Sequence, residues 1–173
     1  MIMALAQSAA GRGNREVAER LLEEVLNQSS GRARNLVQFS LNLQAGQVYA
    51  GFAPERAFQI AEAAVEHLNE LMAVAVQVDG FGQEAFDQGE LKLEGSVWSG
   101  LVQQTGGLLA ALAAKDFDRS RETATRFQRG EARAQAMLAV ARGILGGGEP
   151  ARGRGRGRGR MPTVAPAIRS RQE

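Results

Sequence analysis

The densest run of one chemistry in the chain is Arg152, Arg154, Arg156, Arg158 and Arg160, alternating with Gly153, Gly155, Gly157 and Gly159. An arginine can pair with a phosphate, stack on a base and release a counterion. These five are therefore the candidate residues for binding RNA, DNA or another polyanion. No aromatic residue is interleaved with them, which weakens the stacking part of that chemistry. Glycine and like charge both oppose collapse, so the sequence predicts disorder over 147–173. Compositional bias is the competing reading. Of the 21 basic residues only Lys92 and Lys115 are lysine, a preference that a GC-rich genome also produces.

Other constellations fall short of the chemistry they resemble. Glu62, Glu66 and Glu70 share one helix face beside His67, the only histidine. Paired carboxylates shift each other's pKa when buried, but these lie opposite an apolar stripe and read as a solvated acidic face. Asp79 to Glu90 has the length of a calcium loop. Its third position is Phe81 and its sixth is Glu84, where an oxygen ligand and a glycine are needed. A looser surface site would use Asp79, Asp87 and Glu90. A di-iron bundle needs Glu-x-x-His, and Ala64 stands three before His67. Gly11-Arg12-Gly13 and Gly80-Phe81-Gly82 lack the third glycine of a dinucleotide loop, and neither lysine follows a phosphate-cradling loop. Gly95 to Gly100 has the wrong spacing for a nucleophile elbow. With no cysteine, a thiolate nucleophile or a thiolate-bound metal is excluded. The expectation is a non-enzymatic protein without cofactor or metal. Phe81 and Phe86, in a glycine-rich acidic stretch, either fold back onto the body or contact a partner.

The elements that position these residues read as helices. The chain has 173 residues, 44% hydrophobic and 23% charged. That permits one ordinary domain, and a chain of this length buries about 68–70% of its unfolded surface. No apolar run approaches the ~18–20 residues of a membrane span. Charge is unevenly placed. Residues 1–150 hold 14 Arg and Lys against 18 Asp and Glu, whereas residues 151–173 hold seven arginines and one glutamate. A body of −4 thus carries a tail of +6, an asymmetry that favours an anionic partner for the tail. The start, MIMALAQSAA, has no basic residue before its apolar stretch, so no secretory signal is read and the cytoplasm is the default. It begins as helix without a capping residue. The chain is therefore expected to start inside a structural unit, as a fragment would, and to self-associate through this uncapped helix.

Helical spacing predicts further helices over about 14–27, 33–50, 54–77, 97–114, 116–127 and 131–145. Asn14 and Asp116 are candidate caps, and Pro54 suits a first turn. The helix over 33–50 is apolar most of the way round and is expected to be buried. Residues 78–95 break the pattern and predict a loop with a short strand-like piece at Leu91 and Leu93. Gly106–Gly107 would let a neighbouring helix approach closely.

Three second helices share small or apolar residues at i, i+4 and i+7. These are Ala18, Leu22 and Val25; Ala57, Ala61 and Ala64; and Ser120, Ala124 and Phe127. Nine residues before each first position stand Ala9, Val48 and Ala111, expected where paired helices approach. The pattern resembles tetratricopeptide-like helical repeats. Asp116-Phe117-Asp118-Arg119 followed by Glu131-Ala132-Arg133-Ala134 is similar to uncharacterised bacterial proteins of this helical type. The units lie 39 and 63 residues apart, so the period is not fixed. The resemblance implies stacked antiparallel helical hairpins, a short α-solenoid, over 1–146, followed by the Arg/Gly-rich tail over 147–173; an irregular helical bundle is the alternative arrangement of the helices. It also implies a scaffold that binds a protein or peptide. The alternative is nucleic-acid or polyanion binding through the tail. No membrane association is expected.

Overall fold

The computed structural model describes residues 1–28, 32–78, 86–87, 90–92 and 96–146. Among them the protein is almost wholly helical. Its helices are α1 (Ile2–Gly11), α2 (Arg15–Gln28), α3 (Leu36–Tyr49), α4 (Pro54–Val78), α5 (Val97–Ala113), α6 (Phe117–Thr125) and α7 (Gly130–Gly146). Two strands, β1 (Phe86–Asp87) and β2 (Glu90–Leu91), pair antiparallel between α4 and α5. None of the described helices is long and apolar enough to cross a membrane.

Local chemistry sets the helix starts. Asn35, Ser96 and Asp116 each accept a bond from the amide three residues on, at 2.9, 3.1 and 2.9 Å. This satisfies an amide that the first turn leaves unpaired. Asn14 does the same for Val17 at 3.3 Å. The cap at Asn35 is why α3 begins at Leu36 and not at Ala33. Helix α1 has no side-chain cap at Met1. Gly13 turns the chain between α1 and α2 with φ +78°, a conformation that glycine adopts without a Cβ clash.

Consecutive helices form three hairpins: α1 with α2, α3 with α4, and α5 with α6. First helices also meet the next first helix, in the order α1, α3, α5 and α7, and α4 meets α6, whereas α2 packs on α1 and α3. The nine residues of the shared pattern, from Ala18 to Phe127, are all buried. The positions nine residues upstream behave differently. Ala9 and Val48 are half-buried and Ala111 is exposed. The buried faces instead present Gly46 and Tyr49 on α3 and Leu108 and Leu112 on α5. A helical face repeats every 3.6 residues, so a small error in the assumed turn length moves the inferred contact to another face. Helix α3 is less buried than its apolar run suggests, with Leu36 and Val37 exposed.

Glycine decides the closest crossing, between α5 and α7. A Cβ on Gly143 would stand 2.3 Å from the Ala110 carbonyl oxygen, so only glycine fits. Gly106 faces Ala139, where a Cβ would lie at 3.1 Å. The short hairpin of β1 and β2 places Phe86 opposite Leu91, and both are buried. Asp87 and Glu90 face each other on the exposed side.

Candidate interaction surface

Three of the four first helices have an unusual composition. Helices α1, α3 and α5 contain no Asp, Glu, Lys or Arg in 10, 14 and 17 residues. Each still exposes side chains, among them Leu5, Val37, Gln44, Gln47, Gln103 and Gln104. Gln47 reaches across to α5, its Nε2 lying 3.9 Å from where a Cβ on Gly107 would be. Acidic and basic side chains instead lie on α2, α4, α6 and α7. Solvent-facing helix surface normally carries charge. A face that is open yet built of amides, small residues and aliphatics has the composition of an interface core.

A concavity lies between α2, α3 and α4 and extends to α5. Two adjoining hollows, of about 230 and 140 Å³, share Ala33, Phe39 and His67 as common walls. Ile60 and Ala64 line the larger; Leu71 and Trp98 line the smaller. The Phe39 and His67 rings are 5.8 Å apart and tilted by 57°. Burial disfavours the charged imidazolium, and nearby Arg32 adds repulsion, so His67 titrates below its ordinary value of 6.5. Arg32 is itself paired with Glu70.

Three polar fixtures hold the helices that frame these surfaces. Arg119 on α6 donates to Glu55 at 2.7 Å and to Glu62 at 3.1 Å, and its guanidinium lies 4.4 Å from the centre of the Phe58 ring. Its bond to Glu55 and, more weakly, those to Glu62 raise its pKa further, against some desolvation. Asn69 is buried on α4. Its amide donates to the Arg126 carbonyl at 2.8 Å, and its oxygen accepts from the Gln128 amide at 3.0 Å. The Tyr49 hydroxyl donates to the Glu19 carbonyl at 3.4 Å. Its pKa is raised, first by burial and then by the charges of Glu23 and Glu19.

The residues singled out from sequence fare differently. Arg152, Arg154, Arg156, Arg158 and Arg160 lie outside the described residues, as does Phe81. Phe86 is buried against the body, with the Arg129 guanidinium 5.0 Å from its ring centre. That is the folded-back arrangement, and it leaves the ring little surface to offer a partner. On the acidic face of α4, Glu62 is paired with Arg119 and Glu70 with Arg32. Of the residues proposed for a loose calcium site, Asp79 is outside the described residues. Asp87 and Glu90 are exposed, and the described residues contain no group of three or more His, Cys, Asp or Glu that could hold a metal. Arg119 and Asn69 were missed as fixtures. Asn69 had a signal, since it interrupts a buried stripe formed by Val65, Leu68 and Met72. In comparisons with known proteins, no family model, no curated protein and no solved structure matches the chain.

Proposed function

We propose that the chain is a protein–protein interaction scaffold without enzymatic activity, built as a short α-solenoid of tetratricopeptide-like type. Packing between neighbouring hairpins supports the solenoid, because each unit completes its core against the next. One observation carries the functional reading: α1, α3 and α5 expose a face without a single charged residue. Such a face is costly to keep in water and is favourable in a contact that removes its water. Glutamine amides on it can bond the backbone of a bound segment without imposing a charge requirement. The partner is therefore an uncharged, partly apolar protein segment.

Selection of displayed random peptides against the full chain tests this. Uncharged peptides are the expected winners. Gln47→Glu and Gln103→Glu should abolish their binding, and Glu23→Gln on the charged helix α2 should leave it intact. Enrichment of acidic or basic peptides, or indifference to both glutamine substitutions, would sink the reading.

A second reading rests on charge. Residues 151–173 carry seven arginines against one glutamate, so the tail can bind a polyanion in addition to, or instead of, the body binding a protein. RNA binding by fluorescence anisotropy should fall with salt at a slope near −3.5 if five contacts form on single strands. Replacing the five alternating arginines by glutamine should flatten that slope. Unchanged binding by the replaced chain would remove the tail from the account.

A further inference from the structure

Helix α7 is apolar on two opposite sides. Ala132, Ala136 and Val140 are buried, and Gly143 lies against Ala110 of α5. On the reverse side Ala134, Leu138, Ala141 and Leu145 follow one another at helical spacing, and all four are exposed. Leu138 is 50% and Leu145 83% accessible. An exposed apolar stripe on a helix that already buries its opposite side is surface that a partner can cover.

We propose that this outer face of α7 pairs antiparallel with the same face of a second copy of the chain. The stripe is self-complementary. Its intervals of four, three and four residues read the same in both directions, while its side chains alternate small and large. An antiparallel partner related by a two-fold axis therefore sets Ala134 opposite Leu145 and Leu138 opposite Ala141. Every layer then holds one small and one large side chain, as an isologous interface requires.

Charge selects this occupant over the chain's own tail. The stripe holds no charge, and it is flanked by Arg133 and Arg142 against the single carboxylate of Glu131, which already accepts a bond from the Leu91 amide. Those arginines repel a tail of net +6. The antiparallel arrangement also places the two tails at opposite ends of helices about 25 Å long, well beyond the ~8–10 Å over which salt lets charges interact. Area sets the strength. A single stripe about 16 Å long buries well under the ~1,200 Å² of a stable complex. The dimer is accordingly weak and concentration-dependent, with a Kd on the order of 100 μM.

Sedimentation equilibrium of the full chain, from about 10 μM to about 1 mM, brackets that constant. A monomer–dimer equilibrium is expected. Leu138→Ala and Ala141→Leu should each weaken it by about tenfold, the first by leaving a gap and the second by setting two leucines in one layer. The double variant L138A/A141L restores one small and one large side chain per layer and should recover the affinity to within about threefold. These side chains are exposed, so circular dichroism should show the fold unchanged in each variant. A chain that stays monomeric at every concentration overturns the proposal. So does a dimer that survives Leu145→Glu, or a double variant no better than the weaker single one.

Discussion

Arg119 is the side chain on which the polar contact between α4 and α6 converges. Its bonds are unequal in worth. The Glu55 bond is the shorter and raises the Arg119 pKa more, but Glu55 is 80% exposed and Glu62 25%, so water screens the first pair far more and the second is worth more to stability. Arg119→Ala should cost about 1–2 kcal/mol, most of it from Glu62 and from the lost stacking on Phe58. Arg119→Lys should recover less than half, since an ammonium lacks the planar fork that reaches two carboxylates and a ring together. Urea unfolding measures both. A Glu55→Gln loss larger than that of Glu62→Gln would contradict this ranking. His67 makes a separate prediction through pH. Its folded pKa lies below the unfolded value of 6.5, so the unfolded chain takes up the proton first as pH falls. This contribution to stability is fully present above pH 6.5 and declines as pH drops through 6.5 towards the folded pKa. Between pH 7.5 and 6 the native chain should lose stability, and His67→Gln should flatten that decline. An unchanged slope in the variant would mean that His67 is not the group responsible.

Glycine positions separate helix propensity from helix packing at the scale of elements. Gly143→Ala forces a Cβ against the Ala110 carbonyl and must push α5 from α7. A loss of about 1–3 kcal/mol or more is expected, despite a propensity gain of about 1 kcal/mol. Gly100 has open space around its missing Cβ. Gly100→Ala should therefore stabilise the chain by up to about 1 kcal/mol. Opposite signs for two identical substitutions in packed neighbouring helices are the expected result, read from thermal or urea denaturation. Equal signs would place the α5–α7 crossing elsewhere.

The helices themselves were legible because capping chemistry and the 3.6-residue period are local. Asp116 and Asn14 sit where their side chains accept the first amides, and α4 needed only Pro54 and its stripe. Pairwise contacts were not legible to the same degree. Gly106 was read as a point of close approach, but Gly143, where a Cβ fits worst, carried no distinguishing context. Phe86 could be read either as folded back or as partner-facing, because its burial depends on Leu91 and Arg129 meeting it in space. The uncharged face was available from composition once the helix boundaries were fixed. A charge balance over body and tail averages it away, because the charged side chains of the body lie on other helices.

At the scale of the whole molecule, stability should be distributed unevenly along the chain. Helix α5 packs on α3, α4, α6 and α7, whereas α1 rests mainly on α2 and only lightly on α3. In a chain held by neighbour contacts, an end unit can open without disturbing the rest. Native-state hydrogen exchange should therefore show α1 and α2 opening at a lower free energy than α5. Two buried leucines make the comparison sharp. Leu22 lies in α2, and Leu108 lies in α5, where it also presses against Gly46 of α3. Each truncation to alanine should cost about 2–5 kcal/mol locally. Leu22→Ala should lower protection in α1 and α2 and leave α5 to α7 close to the parent. Leu108→Ala should lower protection throughout, because the helix it weakens is shared by the central hairpins. Equal loss everywhere from Leu22→Ala would mean that the molecule unfolds as one cooperative unit, and the proposed stack of semi-independent hairpins would have to be abandoned as a description of its energetics.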